Sequence, residues 1–240
     1  MSTGMYVTLS GQMALEKRLD TIANNLANMN TAGYRADGVK FESILSSAGS
    51  DSVAFESAGE SYISRKAGPV NFTGNSLDVA VDGDGWFGLQ TPDGTVYSRD
   101  GRFHLNDVGE LQSVRGYAVL DAGGSAITVD PSAGPVEISA DGAISQNGKQ
   151  VGAVGLFLLP ETAKLSRYDN SGVVPDQPAQ PAEDLTTNGV RQGYIEGANV
   201  NPILEMTKLI EVSRAFDNAV AAMQQSDSTA EDAIKTLGPS

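Results

Sequence analysis

Hydrophobic side chains recur with a helical period toward both ends of the chain. In the C-terminal part, a line of ten positions advances by alternating steps of three and four residues, and Ser213 and Asp227 are its two polar members. A period of 3.5 residues sustained over this length predicts a helix with a coiled-coil-like seam. The ten positions are Met206, Leu209, Ser213, Phe216, Val220, Met223, Asp227, Ala230, Ile234 and Leu237.

The bounds of this helix are marked by local signals. Asn201 offers a side-chain oxygen to the free N–H groups of a first turn, and Pro202 lacks a donor that would be unsatisfied there. Gly238 and Pro239 form a stop signal. A helix is therefore predicted from Asn201 to Leu237.

A second helix with the same period is predicted near the N-terminus, from about Met5 to Met29. Asn28, Thr31 and Gly33 favour its end, because polar side chains compete for backbone bonds and glycine accepts the left-handed conformation. The two helices are expected to pack as a coiled-coil-like pair. The seam of the N-terminal helix consists of Leu15, Leu19, Ile22, Leu26 and Met29.

Between the helices the period changes to two. Leu77, Val79 and Val81 alternate with polar or small residues, as in a strand with one buried face. Dense Asp-Gly and Asn-Gly pairs supply the positive φ of tight hairpins. The fold class is therefore α+β, with long terminal helices enclosing an all-β, turn-rich middle. The predicted strands are Trp86–Thr91, Thr95–Arg99, Arg102–Leu105, Glu110–Val114, Tyr117–Leu120, Ala126–Val129, Val136–Ser139, Val154–Leu159 and Val190–Ile195.

These patterns predict a division of the chain into four parts. Residues 1–34 form an N-terminal helical segment and residues 35–61 an extended connector rich in small residues. Residues 62–195 form the β-rich domain, which includes a proline-punctuated surface loop at 175–182, and residues 196–240 carry the long helix.

Composition narrows the class of protein. The net charge of −14 argues against nucleic-acid binding, which needs cationic side chains for the phosphates. The absence of cysteine excludes disulfides and thiolate metal sites. The N-terminal residues do not have the pattern of a cleaved signal peptide, and no apolar run reaches the length of a membrane span. If the protein is exported, another route is expected.

Candidate sites for chemistry are weak, and we predict neither an enzyme nor a metal or cofactor site. His104 is the only histidine and lies between two apolar strand residues, so a solvent-facing position is favoured over a general base. Asp82 and Asp84 lie in Asp-Gly turns that do not match a calcium-binding loop. Trp86, Phe87, Tyr97 and Phe103 suggest a sugar-binding platform, but packing in a β core is favoured.

Three segments carry a resemblance to a known family. Residues 23–35 read ANNLANMNTAGYR, residues 75–87 read NSLDVAVDGDGWF, followed by YSRDGRF at 97–103, and residues 192–202 read QGYIEGANVNP. They resemble, in order, the motifs of bacterial flagellar rod and hook proteins. The matching motif positions are Asn24, Asn25, Asn28, Asn30, Gly33, Asp82, Gly83, Gly85, Gly193, Gly197 and Asn199.

The resemblance implies a structural subunit of the basal-body rod. Length and motif set are most similar to a proximal-rod protein, and a distal-rod or hook paralogue is the alternative within the family. Implied partners are other rod subunits, further copies of the chain and the flagellar type III export apparatus, without a cleaved signal and without direct membrane insertion. The implied location is the rod where it crosses the periplasmic space, and the implied function is to transmit torque and enclose the export channel.

The seams of the terminal helices are the predicted subunit interface. Ile203, Ile210 and Val212 add apolar surface outside the seam, which favours a bundle of several subunits over an isolated helix pair. From a different class of protein, a secreted β-rich binding module oligomerised by its helices remains the alternative. The predicted interface residues are Leu15, Leu19, Ile22, Leu26, Met29, Met206, Leu209, Phe216, Val220, Met223, Ile234 and Leu237.

Overall fold

The structure, a computed structural model, describes residues 2–40, 43–46, 53–56, 59–185 and 187–237. The chain divides into two compact units. The helical unit comprises Met1–Ala27, Asp37–Tyr62 and Asn201–Ser240, and the β unit comprises Asn28–Ala36 and Ile63–Val200. The predicted α+β class is confirmed, with mostly antiparallel strands and a helix toward each end.

Two long helices dominate the helical unit. Helix α1 spans Ser2–Ala27 and helix α2 spans Pro202–Leu237, and the two are in contact. Over the residues that the structure describes, neither helix combines the length and the apolarity needed to cross a membrane. Short strands follow α1 in the chain, with β1 paired to β4 and β2 paired antiparallel to β3. These strands are β1 (Asp37–Lys40), β2 (Ser43–Ser46), β3 (Val53–Glu56) and β4 (Glu60–Ile63).

The predicted start of the C-terminal helix α2 is confirmed, and the predicted end of the N-terminal helix α1 is two residues too late. The Asn201 side-chain oxygen accepts a hydrogen bond from the backbone N–H of Leu204 at 3.2 Å, as an N-cap does. Helix α1 stops at Ala27 because Asn28 begins a turn, in which its carbonyl and side-chain oxygens accept bonds from the Thr31 N–H and hydroxyl at 3.0 and 3.1 Å. Local side-chain bonding therefore ends the helix before Met29.

The covered face of α2 differs slightly from the predicted seam. Of the α2 side chains that the structure describes, Glu205 and Val212 are the most buried, at 8% and 6% exposed, and each lies one position before a predicted seam residue. Met206 is 47% exposed instead. Ser213 is exposed, and the remaining described apolar seam residues are half-buried, namely Leu209, Phe216, Val220 and Met223.

The β unit contains the remaining strands. Many of them are only two to four residues long and are joined by tight turns. They are β5 (Val70–Phe72), β6 (Val79–Asp82), β7 (Trp86–Thr91), β8 (Gly94–Ser98), β9 (Phe103–Leu105), β10 (Leu111–Ser113), β11 (Ala118–Val119), β12 (Glu137–Ile138), β13 (Ala143–Gln146), β14 (Lys149–Ala153), β15 (Leu156–Leu158), β16 (Leu165–Tyr168), β17 (Gly172–Pro175), β18 (Gln180–Pro181), β19 (Gly189–Gln192) and β20 (Tyr194–Glu196).

The largest sheet is organised around β7. Its order is β16-β17-β8-β7-β11-β10-β9, and β15 pairs with β7 and also with β18. One edge of β7 pairs with β8 from Phe87 to Thr91. The other edge pairs with β15 at Trp86 and Phe87 and with β11 at Leu89 and Gln90. Smaller antiparallel groups are β12-β13-β14, β19-β6 and β20-β5.

The main hydrophobic core lies beneath this arrangement. Phe87, Val79, Val119 and Ile144 are fully buried there. The rings of Phe87 and Phe103 meet edge to face, with centroids 5.1 Å apart. Inward positions of β6 and β7 therefore supply the core. The solvated opposite face that the period-two pattern predicts is wrong, since Asp78 and Ala80 are buried as well.

Strand boundaries were predicted well where the pattern was strong and less well elsewhere. The predicted strand Trp86–Thr91 is β7, with the same bounds. The predicted strand Ala126–Val129 is wrong, since Ala126 and Thr128 make only isolated bridges to Leu120 and Glu110. The predicted strand Val190–Ile195 is split into β19 and β20, because Gly193 has a φ of +80° that interrupts the extended backbone.

Candidate functional site

The segments that carry the three sequence motifs meet inside the β unit. We call residues 33–36 the N-terminal strap and residues 196–199 the C-terminal strap. The Gly33 N–H donates to the Glu196 carbonyl at 2.8 Å, and the Asn199 N–H donates to the Tyr34 carbonyl at 3.2 Å. The Ala36 N–H donates to the Asn199 side-chain oxygen at 2.6 Å. Backbone bonds therefore join the first and last motifs.

Beneath the straps, two arginines share one carboxylate. Arg35 Nη2 lies 2.8 Å from Glu196 Oε1, an ion pair without the angle of a hydrogen bond, and Arg99 Nη1 donates to Glu196 Oε2 at 3.2 Å. All three side chains are at most 2% exposed. We call Arg35, Arg99 and Glu196 the arginine cluster. Both guanidinium groups lie over the Trp86 ring, 5.5 and 5.3 Å from its centroid.

Further contacts fix each member of the arginine cluster. Arg35 Nη1 donates to the Lys66 carbonyl, and Arg99 Nη2 donates to the Gly83 carbonyl at 2.8 Å. Glu196 Oε1 also accepts from the Gly68 N–H at 2.8 Å. The cluster therefore draws together the first motif, the Asp-Gly turn of the middle motif and the last motif.

The electrostatics of the cluster follow from its burial. Desolvation lowers the pKa of Arg35 to about 10, while the Glu196 carboxylate acts in the opposite direction and the Arg99 charge adds to the lowering. Desolvation likewise lowers the pKa of Arg99, against the carboxylates of Glu196 and Asp84. Two buried cations thus face one buried anion, and the exposed Asp84 supplies further negative potential.

The remaining motif residues of the β unit act mainly through the backbone. Gly33 has a φ of +67°, and an added Cβ there would lie 2.2 Å from the Asp100 nitrogen. The Gly193 N–H donates to the Asp78 carbonyl at 2.7 Å, and the Gly197 N–H donates to the Pro69 carbonyl at 2.8 Å. These glycines permit close approach between chain segments.

Other motif residues of the β unit lie at turns and on the surface. Asp82 forms an exposed ion pair with Arg191 at 2.7 Å. Gly83 has a φ of +113° in the turn between β6 and β7, and Gly85 is buried against Leu156. Asn28 is half-buried and Asn30 is exposed.

In the helical unit, the motif residue Asn25 bonds to two other elements. It is 3% exposed, and its amide donates to the Asp37 carbonyl at 2.9 Å and to Glu205 Oε2 at 3.4 Å. Its side-chain oxygen accepts from the Asp37 N–H at 2.8 Å. Asn25 therefore joins α1, β1 and α2, whereas the neighbouring Asn24 is exposed.

We expect Asn25→Ala to destabilise the helical unit by about 1–3 kcal/mol, because the backbone of Asp37 and the buried Glu205 carboxylate would lose their bonds. Thermal melting followed by circular dichroism at the helical minimum measures this, since both helices belong to that unit. Asn30→Ala, at an exposed turn position, is the control and should melt as the wild type does. Equal melting of the two variants would contradict a stabilising role for Asn25.

The predicted seam residues of α1 and α2 differ in burial. In α1 and the turn after it, Ile22 is buried, while Leu15, Leu19, Leu26 and Met29 are half-buried. The side chains of Ile234 and Leu237 lie outside the described residues. Among the described side chains of α2, the large exposed apolar groups lie in its first turns: Ile203 (79%), Met206 (47%) and Ile210 (53%) share one side, and Leu204 (51%) lies on another.

The residues considered for sugar binding and for acid-base chemistry differ in where they lie. Trp86, Phe87 and Phe103 are 3%, 0% and 4% exposed, so they form part of the core and do not present a platform for a sugar. His104 is exposed on β9 opposite Gln112, as predicted. The arginine cluster itself was not predicted, because no periodicity marks its three charged residues. A charged residue inside each family motif was the one available signal.

Three regions of the chain, which overlap the three sequence motifs, match models of known protein families. Residues 5–35 match the family model for flagella basal body rod proteins. Residues 80–146 match the D1 domain of the flagellar hook protein FlgE/F/G, and residues 191–236 match the C-terminal part of flagellar basal body rod FlgEFG proteins.

Relatives align along almost the whole chain. The chain is 51% identical to a flagellar basal-body rod protein FlgF of Mesorhizobium japonicum, covering 99% of both chains, and 48% identical to one of Rhizobium meliloti, covering 100% of both. It is 29% identical to a flagellar basal-body rod protein FlgG of Bacillus subtilis, covering 98% of both. The matches to FlgF proteins and to the three family models show that this chain belongs to the flagellar basal-body rod protein family, as a FlgF-like structural protein and not an enzyme.

Proposed function

We propose that this protein is a subunit of the proximal rod that polymerises through its terminal helices. Residues 1–34 and 196–240 would form part of the axial core as a coiled-coil-like helix pair, and residues 62–195 would form an outer domain. The subunits would pack on copies of themselves and on other rod proteins, transmit torque where the rod crosses the periplasmic space, and line the export channel. The type III export apparatus would deliver the chain.

The observation that carries this proposal is the exposed apolar row at the start of α2. Ile203, Met206 and Ile210 are spaced by three and four residues, so they lie on one side of the helix. Val212 and Glu205 are buried, so the row lies away from the face that is already covered. Exposed apolar side chains that share one helix face are typical of a protein-protein interface.

Half-burial along the rest of α2 supports the same proposal. Leu209, Phe216, Val220 and Met223 retain accessible apolar surface in the single chain. An open helical assembly, in which each subunit uses two different surfaces, would cover these side chains from a second side. The net charge of −14 is consistent with a monomer that stays soluble before assembly.

Ile210→Glu tests this proposal, because it places a carboxylate in the apolar row at a position that is exposed in the single chain. We expect monomers that fold normally but fail to restore rods in a strain whose own copy is deleted. Asn218→Glu places the same charge at another exposed position of α2 and is the control. Electron microscopy should show hooks and filaments with the wild type and Asn218→Glu, and neither with Ile210→Glu.

Leu209→Pro provides a stricter variant, because proline inside a helix costs about 3 kcal/mol or more and would break α2. We expect it to fail in the same complementation. Normal filaments in the deletion strain itself would contradict the rod role. Full complementation by Ile210→Glu would contradict the use of this helix face in assembly.

A further inference from the structure

The arginine cluster carries an inference about how the two straps close, and it does not depend on the role in the rod. Each strap contributes one charged member: Arg35 comes from the N-terminal strap and Glu196 from the C-terminal strap. The third member, Arg99, follows β8 in the main sheet. The cluster is therefore completed only when both straps are packed against the rest of the β unit.

The charges of the arginine cluster make closure of the N-terminal strap depend on the C-terminal strap. Arg35 and Arg99 lie over the same indole ring, so closing the N-terminal strap brings two like charges together in a buried place. Among the described residues, the Nε atoms of both arginines have no hydrogen-bond partner, so the site compensates these cations only in part. In the described part of the chain, Glu196 is the one buried carboxylate that contacts both of them.

Removing that carboxylate would leave two buried cations without a buried counter-charge. An uncompensated buried charge is strongly unfavourable, more so than the absence of the whole ion pair. Asp84 lies in an exposed turn, where solvent screens its charge. The closed N-terminal strap is thus strongly destabilised without the Glu196 carboxylate, even though Arg167 also donates to the Arg35 carbonyl at 2.5 Å and lies over the Tyr34 ring.

Closure of the C-terminal strap depends in turn on the N-terminal strap, because the two are joined by hydrogen bonds. Glu196 would be buried without Arg35, and the Glu196 carbonyl and the Asn199 side chain would lose their donors at Gly33 and Ala36. We propose that the two straps form one cooperative latch, which closes and opens as a unit with Glu196 as its positioning residue. Neither strap then docks alone on the β unit.

Glu196→Gln in the full chain tests the latch, since glutamine keeps the shape and removes the charge. The measurement is amide hydrogen exchange at the four strap donors, Gly33, Ala36, Gly197 and Asn199. We expect all four to exchange at least about 100-fold faster and by a common factor, because they report one opening event. Amides of β7 serve as the internal reference and should keep their protection.

Asp82→Asn is the matched control, because it neutralises a carboxylate of an exposed ion pair in the same unit. We expect exchange in both straps to stay within about threefold of the wild type. Faster exchange in one strap alone with Glu196→Gln would show that the straps open independently. Equal acceleration of the straps and of β7 would show global unfolding. Either result, or unchanged exchange in the straps, would overturn the proposal.

Arg35→Lys is a second variant that keeps the charge but loses the planar fork of the guanidinium group. If Glu196→Gln does not fold, this variant decides the proposal. We expect both straps to exchange about tenfold faster by a common factor. Trp86, the single tryptophan of the sequence, should emit at longer wavelength as the latch opens. Opening of the N-terminal strap alone would overturn the cooperative latch.

Discussion

Phe87→Ala is expected to lower the free energy of unfolding of the β unit by about 3–5 kcal/mol. Phe87 is fully buried, its ring meets Phe103 edge to face, and it lies on β7, the strand around which the main sheet is built. Removing the ring loses its hydrophobic transfer energy and leaves a cavity whose walls are held by several strands. Urea unfolding followed by the fluorescence of the adjacent Trp86 measures the change.

Phe72→Ala is the matched control for this experiment. Phe72 belongs to β5 in the same unit and also makes an edge contact, with Tyr194 at 5.1 Å, but its side chain is 72% exposed. We expect a loss below about 1 kcal/mol, since little apolar surface leaves the interior. A Phe87→Ala effect as small as that of Phe72→Ala would contradict the position of the core.

Gly33→Ala is expected to destabilise the β unit by several kcal/mol and to displace the N-terminal strap. The left-handed φ of +67° alone costs an alanine about 1–2 kcal/mol. In addition, the new Cβ would lie 2.2 Å from the Asp100 nitrogen and 2.4 Å from the Arg99 carbonyl carbon. Both are backbone atoms, so the strap or the β8–β9 turn must move.

Gly124→Ala separates the two contributions to this effect. Gly124 also has a left-handed φ, of +81°, but nothing lies within 4 Å of its added Cβ. We expect this control to lose only the conformational cost, about 1–2 kcal/mol. The difference between the two variants in urea unfolding measures the close approach of the strap to the sheet. Equal losses would mean that the strap has room to relax.

The sequence predicted those parts of the fold that depend on local patterns. The start signal at Asn201 and Pro202 located α2 to the residue, because capping is a short-range interaction. The turn signals on either side of Trp86–Thr91 located β7, since tight turns are coded locally. The exposed position of His104 followed from its alternation with the apolar Phe103 and Leu105.

The parts that escaped prediction either have a weak local pattern or depend on contacts between distant residues. The hairpin of β13 and β14 was marked only by the turn at Asn147 and Gly148, whose positive φ values the structure shows. Its strands contain several small and polar residues, so the pattern around that turn was weak. Helix α2 turns Glu205 inward because Asn25, far away in the chain, offers an amide to its carboxylate.

The arginine cluster shows the same limit at the candidate site. A charged residue is usually exposed, so nothing in the local sequence indicates that Arg35, Arg99 and Glu196 are buried. Their burial depends on each other and on Trp86, which is a property of the assembled unit. The motif glycines were identified from the family resemblance, but the bonds that they permit required the structure.

The bond between Ala36 and Asn199 spans 163 residues and joins the first and last segments of the β unit. It therefore closes a loop that contains nearly the whole unit. The two residues are far apart in the sequence, so bringing them together costs chain entropy before their bond forms. A ribosome makes Ala36 long before it makes Asn199. The N-terminal strap can therefore bond to Ser64 and Lys66 early in synthesis, but the bond to Asn199 forms only after the last strand of the β unit has been made.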